Sequence, residues 1–176
     1  MLFIISLVHS FHISEAFIFL CIKRNELGKI RAAKNKDVLA MMTIRLAVKE
    51  NRLSRPDVVK KEDYFNYLGE GGKGWVWVEK SVIKGFAFLD LTNSSVWALF
   101  VHPDEEGKGI GRALHDHMLD EYFKTTENDL TLTTAPGTRA AHFYKNALWQ
   151  ETGMKGGELV FVMDKTRWES LGKFEI

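Results

Sequence analysis

The chain has 176 residues, enough for one domain with a substantial core and too few for two ordinary domains. Hydrophobic residues make up 45% and charged residues 27%, the composition of a soluble folded protein, and 3 Pro with 14 Gly exclude a collagenous or linker-rich chain. The 24 Lys and Arg against 23 Asp and Glu leave a net charge of +1, which argues against a duplex nucleic-acid binder; the single cysteine, Cys21, allows neither an internal disulfide nor a cysteine-rich zinc site, so a reducing, cytoplasmic setting fits.

Met1 to Ile22 is largely apolar and aromatic. A secretory signal would carry its positive charge before the apolar run, whereas Lys23 and Arg24 follow it. A membrane span is disfavoured because His9, His12, Glu15 and three serines interrupt the run. We therefore expect residues 1–27 to be an extension, arising from a mis-set translation start, and residues 28–176 to be the domain.

Lys29–Ala33 alternates polar and apolar residues and predicts a first strand. Asn35–Lys36–Asp37 carries helix-start chemistry, and Val38, Leu39, Met42, Ile44, Leu46 and Val48 continue with roughly helical spacing to about Arg52. Ser54–Arg55–Pro56–Asp57 predicts a turn. A second helix spans Lys60–Leu68, ended by Gly69–Glu70–Gly71–Gly72.

Three strands joined by short turns follow at Gly74–Lys80, Ile83–Asp90 and Ser95–Val101, which predicts an antiparallel meander. Trp75, Trp77 and Glu79 share one face of the first, and Val76 and Val78 the other. After a loop at His102–Glu106, the glycine-rich Gly107–Arg112 opens a helix with Ile110, Leu114, Met118 and Tyr122 on its apolar face. Leu130–Thr134 predicts a strand, Ala135–Pro136–Gly137 a turn, and Ala140, Tyr144, Ala147 and Leu148 a further helix. Gln150–Lys155 and Leu159–Asp164 around Gly156–Gly157 predict a closing hairpin. The fold class is thus α/β, a largely antiparallel mixed sheet with one parallel strand–helix–strand crossover and flanking helices.

A strand entering a glycine turn and then a helix is an anion-binding arrangement: the first helical N–H groups are unpaired, and glycine allows close approach. Lys108 and Arg112 add charge. The spacing is neither a P-loop nor the dinucleotide glycine fingerprint. Leu99–Phe100–Val101–His102–Pro103 followed by Gly107–Lys108–Gly109–Ile110–Gly111–Arg112–Ala113–Leu114 resembles the acetyl-CoA signature of the GNAT superfamily of N-acetyltransferases. Pro136–Tyr144 is similar to that superfamily's second motif, with its Ala-x-x-Phe-Tyr helix. The order of elements from Lys29 to Asp164 resembles its fold as well.

The resemblance implies that the backbone of Leu99, Phe100 and Val101 pairs with the acetyl and pantetheine arm like an added strand. It also implies that the N–H groups of Gly107, Lys108, Gly109, Ile110, Gly111 and Arg112 cradle the pyrophosphate, and that Tyr144 lies beside the thioester sulfur as the catalytic acid. Two positions depart from the pattern. Glu106 stands where Gln or Arg is usual and would repel phosphate unless turned away, and Gly137 replaces a common Asn.

Acetyl transfer needs a neutral amine, hence a proton acceptor. Glu79, Asp90 and Glu50 are candidates, each open to the alternative of a solvated carboxylate, and a water relay is a further option. Trp75, Trp77 and Trp97 are either an acceptor pocket or core; Arg45, Glu50 and Asn51 border the acceptor side in this fold. His115 and His117, two apart on a helix, are expected on a solvated face with Asp116, Asp120 and Glu121, His142 is expected on a helix surface, and no metal is expected.

The resemblance therefore implies an acetyl-CoA-dependent N-acetyltransferase acting on a small-molecule or peptide amine by direct attack, while the charge balance argues against a nucleic-acid partner, the interrupted apolar run against a membrane one, and a homodimer stays open. The alternative is a non-catalytic acyl-CoA-binding regulatory module of the same fold. A membrane-anchored interaction protein would rest on residues 1–22 alone.

Overall fold

The computed structural model describes residues 28–48 and 59–172. The apolar run with Cys21, the Ser54–Asp57 turn, and Glu50 and Asn51 lie outside the described residues. Seven strands form one sheet: β1 Lys29–Ala32, β2 Gly72–Glu79, β3 Val82–Asp90, β4 Ser95–Val101, β5 Leu130–Thr134, β6 Gln150–Lys155 and β7 Glu158–Met163. Their spatial order is β1-β2-β3-β4-β5-β7-β6, and only β4 and β5 run parallel. The helices are α1 Val38–Ala47, α2 Lys61–Leu68, α3 Ile110–Phe123, α4 Arg139–Asn146 and α5 Lys165–Leu171. No helix among the described residues is long and apolar enough to cross a membrane.

The sheet divides two cores. On one face Val38, Met41 and Ile44 of α1 and Tyr64 of α2 pack on Val76, Val78, Phe86 and Phe88. On the other, Ile110, Leu114, Met118 and Tyr122 of α3 pack with Trp75, Leu132, Tyr144, Trp149 and Phe161. Alternation along β2 sends its tryptophans and valines to opposite cores, as the period of 2 requires. The 3.6-residue period does the same for α3, whose four expected apolar positions are all buried.

α1 departs from the simple pattern. Leu39 and Leu46 are exposed at 65% and 63%, and Met41 is buried instead, because Val38, Met41 and Ile44 form the i, i+3, i+6 stripe facing β3 and β4. The helix stops at Ala47, with Val48 already extended. Its entry is fixed by Asp37, which accepts from the Lys34 backbone N–H at 2.8 Å and from the Arg31 guanidinium at 2.6 and 2.9 Å. The Arg31 hydrogen bonds hold the Asp37 carboxyl below its ordinary pKa against the opposing effect of burial.

The closing hairpin turns at Gly156 and Gly157, which both take positive φ, 60° and 87°. α5, absent from the sequence reading, begins at Asp164, whose side chain accepts from Arg167 N–H at 2.8 Å.

Candidate active site

The site begins with a defect in the sheet. β3 and β4 pair Leu89 with Val96 and Phe88 with Ala98, leaving Trp97 as an extra residue in a β-bulge. A bulge bends its strand and strengthens the twist. β4 and β5 correspondingly share a single register pair, Ser95 with Thr131, where Thr131 N–H donates to Ser94 O at 3.0 Å. Further along, Leu99, Phe100 and Val101 keep their pairing to Ala87, Phe86 and Gly85, and no described strand pairs with their other edge. The parting strands open a cleft of about 510 Å³. Leu99, Phe100, Val101, Gly107, Gly109, Ile110, Gly111, Arg112, Thr134 and Tyr144 all line it.

At one end of the cleft stands the start of α3. Gly107 and Gly109 have φ of 73° and 80°, the left-handed region that a side chain resists. A Cβ built on either would meet nothing within 4 Å, so the space above the turn is open. No side chain caps the helix, and its first intrahelical bond is Ala113 N–H to Gly109 O at 3.0 Å. The N–H groups of Ile110, Gly111 and Arg112 therefore lack helical partners and carry the positive end of the helix dipole.

The charged side chains here are committed to neighbours. Lys108 donates to Glu105 at 2.7 Å and is not among the residues lining the cleft. With Lys84, 2.5 Å from the same carboxylate, it holds Glu105 down at about 2. Arg112 Nε donates to Asp116 at 2.8 Å. The sequence concern over Glu106 resolves in a specific way: its carboxylate lines the cleft and is neutralised by the Arg139 guanidinium, which pairs with both of its oxygens. That pairing keeps Glu106 below its ordinary pKa.

His115 is fully buried, which corrects the expectation of a solvated face. Trp149 Nε1–H donates to its Nε2 at 2.8 Å, and an indole nitrogen has no acceptor role. The imidazole proton must then sit on Nδ1, which lies 2.6 Å from Asp116 Oδ1. A continuous chain thus runs Trp149, His115, Asp116, Arg112, and it sets the Arg112 side chain at the cleft. His142 is exposed, as read from sequence.

Tyr144 projects from α4, whose start is capped by the Thr138 hydroxyl accepting from Ala141 N–H at 3.2 Å. Its ring is buried beside Phe143, Trp149 and Phe161, with centroids at 5.2, 5.5 and 6.0 Å. No hydrogen bond among the described residues involves its hydroxyl, and burial alone raises its pKa, so the phenol keeps its proton at neutral pH.

The carboxylates proposed as bases fare differently. Glu79 is not among the residues lining the cleft. Asp90 accepts from the Asn93 backbone and side chain at 3.0 and 2.7 Å, a turn-holding role. Glu50 lies outside the described residues. Of the three tryptophans, Trp75 is core and Trp77 packs against it, while Trp97 packs against the opposite core and also lines the cleft. Among the described residues no group of three or more His, Cys, Asp or Glu is arranged to hold a metal ion.

The acetyltransferase (GNAT) family sequence model matches residues 32–148, and the chain belongs to that family. Solved structures with the same fold include the ribosomal-protein-S18-alanine N-acetyltransferase of Escherichia coli, 20% identical over 78% of this chain and 92% of that one, with a TM-score of 0.62. The PaiA N-acetyltransferase of Thermoplasma acidophilum in complex with coenzyme A is 14% identical over 78% and 99%, with a TM-score of 0.66. A GNAT-family acetyltransferase of Staphylococcus aureus is 20% identical over 78% and 99%, also at 0.66. Among curated proteins none matches this chain.

Proposed function

We propose that the protein transfers an acetyl group from acetyl-CoA to a primary amine, by direct attack of the amine with both substrates bound. The observation that carries this reading is the convergence on one cleft of a β4 edge and a tyrosine hydroxyl, both without a hydrogen-bond partner among the described residues, and a glycine-started helix with no side-chain cap. Family membership supports acetyl transfer as its chemistry. The residues fit the cofactor: a Cβ at Gly107 or Gly109 would enter open space, so an anion can approach the backbone there.

Bound acetyl-CoA supplies an activated acetyl thioester. The backbone of Leu99, Phe100 and Val101 offers N–H and C=O groups to align an extended arm, as β-augmentation does. Those N–H groups also stand ready to stabilise negative charge on a carbonyl oxygen. The unpaired N–H groups at the start of α3, with Arg112, hold the phosphate end. Tyr144, protonated at neutral pH, donates its proton toward the departing sulfur. Among the described residues the carboxylates lining the cleft are Glu105 and Glu106, both occupied by cations, which favours water as the proton acceptor for the incoming amine. That same occupation favours, as second reading, a non-catalytic acyl-CoA-binding module. Amine-dependent release of CoA thiol, with mass spectrometry of the amine, separates the two: thiol release and a monoacetylated amine support transfer, and CoA binding without either supports the module. The partners we propose are a small-molecule or peptide amine and, among protein contacts, a second copy of the chain.

A further inference from the structure

Arg112 meets the cleft on a support that begins in the core. Its side chain, on the first turn of α3, is 50% exposed and lines the cleft. Among the described residues only its Nε is engaged, donating to Asp116 Oδ2 at 2.8 Å. Nη1 and Nη2 form the end of the guanidinium that binds a phosphate through two parallel hydrogen bonds.

A partly exposed i,i+4 pair on a helix holds a long side chain only weakly. Asp116 is anchored at its other oxygen, because His115 Nδ1 lies 2.6 Å from Oδ1. His115 is fully buried, and its Nε2 accepts from Trp149 Nε1–H at 2.8 Å, which leaves its proton on Nδ1 for Asp116. Phe143, Trp168 and Tyr144 close around the imidazole, with ring centroids at 5.3, 6.0 and 6.4 Å. Against burial, the hydrogen bonds from His115 and Arg112 hold the Asp116 carboxyl below its ordinary pKa, so it stays ionised.

The two ring nitrogens have separate tasks. Satisfying the buried Trp149 N–H requires only the acceptor at Nε2. The donor at Nδ1 is spent on a carboxylate whose second oxygen holds a side chain at the cleft. We propose that His115 is a positioning residue for the cofactor: its Nδ1–H fixes Asp116, and through it aims Arg112 at the phosphate end of acetyl-CoA. This rests on the acetyl-CoA reading of the cleft. Its effect falls on how tightly the phosphate end is held, not on the chemical step.

Asn and Gln separate the two tasks, since an Asn amide places an N–H near the Nδ1 position and a Gln amide places an oxygen near the Nε2 position. The full chain is compared as wild type, Arg112→Met, His115→Gln, His115→Asn, and Arg112→Met combined with His115→Gln. Calorimetry reads CoA affinity, thermal melts read stability, and nitrogen-15 NMR of the protein without CoA reads the imidazole tautomer. The tautomer is expected to be Nδ1–H. Arg112→Met should weaken CoA binding about 10- to 100-fold, the range of hydrogen bonds to a charged group. His115→Gln should weaken it about 3- to 10-fold with a melting temperature near the parent's, and should add nothing to Arg112→Met. His115→Asn should lower the melting temperature more, because the buried Trp149 N–H loses its acceptor, yet recover most of the CoA affinity.

An Nε2–H tautomer, parent-like CoA affinity in His115→Gln, additive losses in the double variant, or affinity that follows melting temperature through Gln and Asn would each overturn the assignment. If His115→Gln does not fold, Trp149→Phe replaces it in the cycle, since it releases the tautomer; a loss that persists undiminished beside Arg112→Met then overturns the role. CoA bound equally by the wild type and Arg112→Met overturns the positioning role alone. No CoA binding by the wild type overturns the acetyl-CoA reading beneath it, and this proposal with it.

Discussion

Glu106 and Arg139, 33 residues apart, meet at the cleft with the guanidinium bonded to both carboxylate oxygens. Glu106 follows the short 3-10 turn Pro103–Glu105, and Arg139 opens α4, so the pair joins the two motifs recognised in the sequence. It neutralises a negative charge where phosphate is expected to sit. Removing the cation exposes that charge: Arg139→Ala should raise the KM for acetyl-CoA about 1.5- to 5-fold, the value of a partly exposed ion pair, and less at high salt. Glu106→Gln should lower it by a similar factor. Steady-state kinetics at two ionic strengths checks both; a rise in KM for Glu106→Gln would mean the carboxylate is needed to aim Arg139.

Tyr144 offers a proton from a hydroxyl with no bond among the described residues. Tyr144→Phe keeps the ring contacts to Phe143, Trp149 and Phe161, so the melting temperature should barely change. Turnover should fall by roughly 10²–10⁴, as for a lost general acid. Single-turnover kinetics isolates the chemical step, and parent-like turnover would leave the residue a packing role.

The acid side of the stability profile draws on Asp37 and the ion-paired glutamates, together with Asp90 and Asp116, whose hydrogen bonds, against the effect of burial, also hold them below their ordinary values. The folded-state pKa of Asp37 is depressed by Arg31, and Glu105 and Glu121 lie at about 2. A depressed carboxyl contributes stability that is complete above its unfolded pKa and lost as pH falls toward the folded one. Melting temperature should thus be level with respect to these groups above pH 4.5 and decline between 4.5 and 2. Asp37→Asn should remove about 1.5–3 kcal/mol at pH 7, the worth of hydrogen bonds to a charged group, and flatten part of that decline. Denaturant melts across pH check it; an unchanged slope in the variant would place the acid sensitivity elsewhere.

A chain beginning at Gly28 should be soluble, monodisperse and able to bind CoA, since the described residues alone supply two packed cores. Calorimetry with CoA and light scattering check this. Aggregation of that chain beside a well-behaved full chain would give the first 27 residues a role in the fold.

Much of the fold was legible because local period and burial agree. Ile110, Leu114, Met118 and Tyr122 announced the buried stripe of α3, and alternation along β2 sorted tryptophan from valine between the cores. The glycine turn and Tyr144 were legible as motifs. What escaped depends on partners distant in sequence. His115 reads as a polar residue among charges, and only Trp149, arriving 34 residues later, gives its ring nitrogen a buried donor. Glu106 reads as repulsive until Arg139 is beside it. Trp97 reads as one tryptophan of three, and the bulge that leaves it without a partner in β3 is a register event in β3 and β4 together. α5 carried a local signal that was available, Asp164 capping three residues ahead of Arg167.

The central claim is that the glycine-started helix and the β4 edge hold acetyl-CoA for transfer to an amine. The most direct measurement follows acetyl-labelled acetyl-CoA with an amine panel, in the wild type and in Gly109→Asp, with CoA affinity by calorimetry on both. Asp at 109 would strain a backbone at φ of 80° and place a negative charge in the open space above the turn. The expected result is label on an amine nitrogen in the wild type, and neither CoA binding nor label in a folded Gly109→Asp. Unchanged CoA affinity in the folded variant, or an unlabelled panel with CoA bound to the wild type, would contradict it.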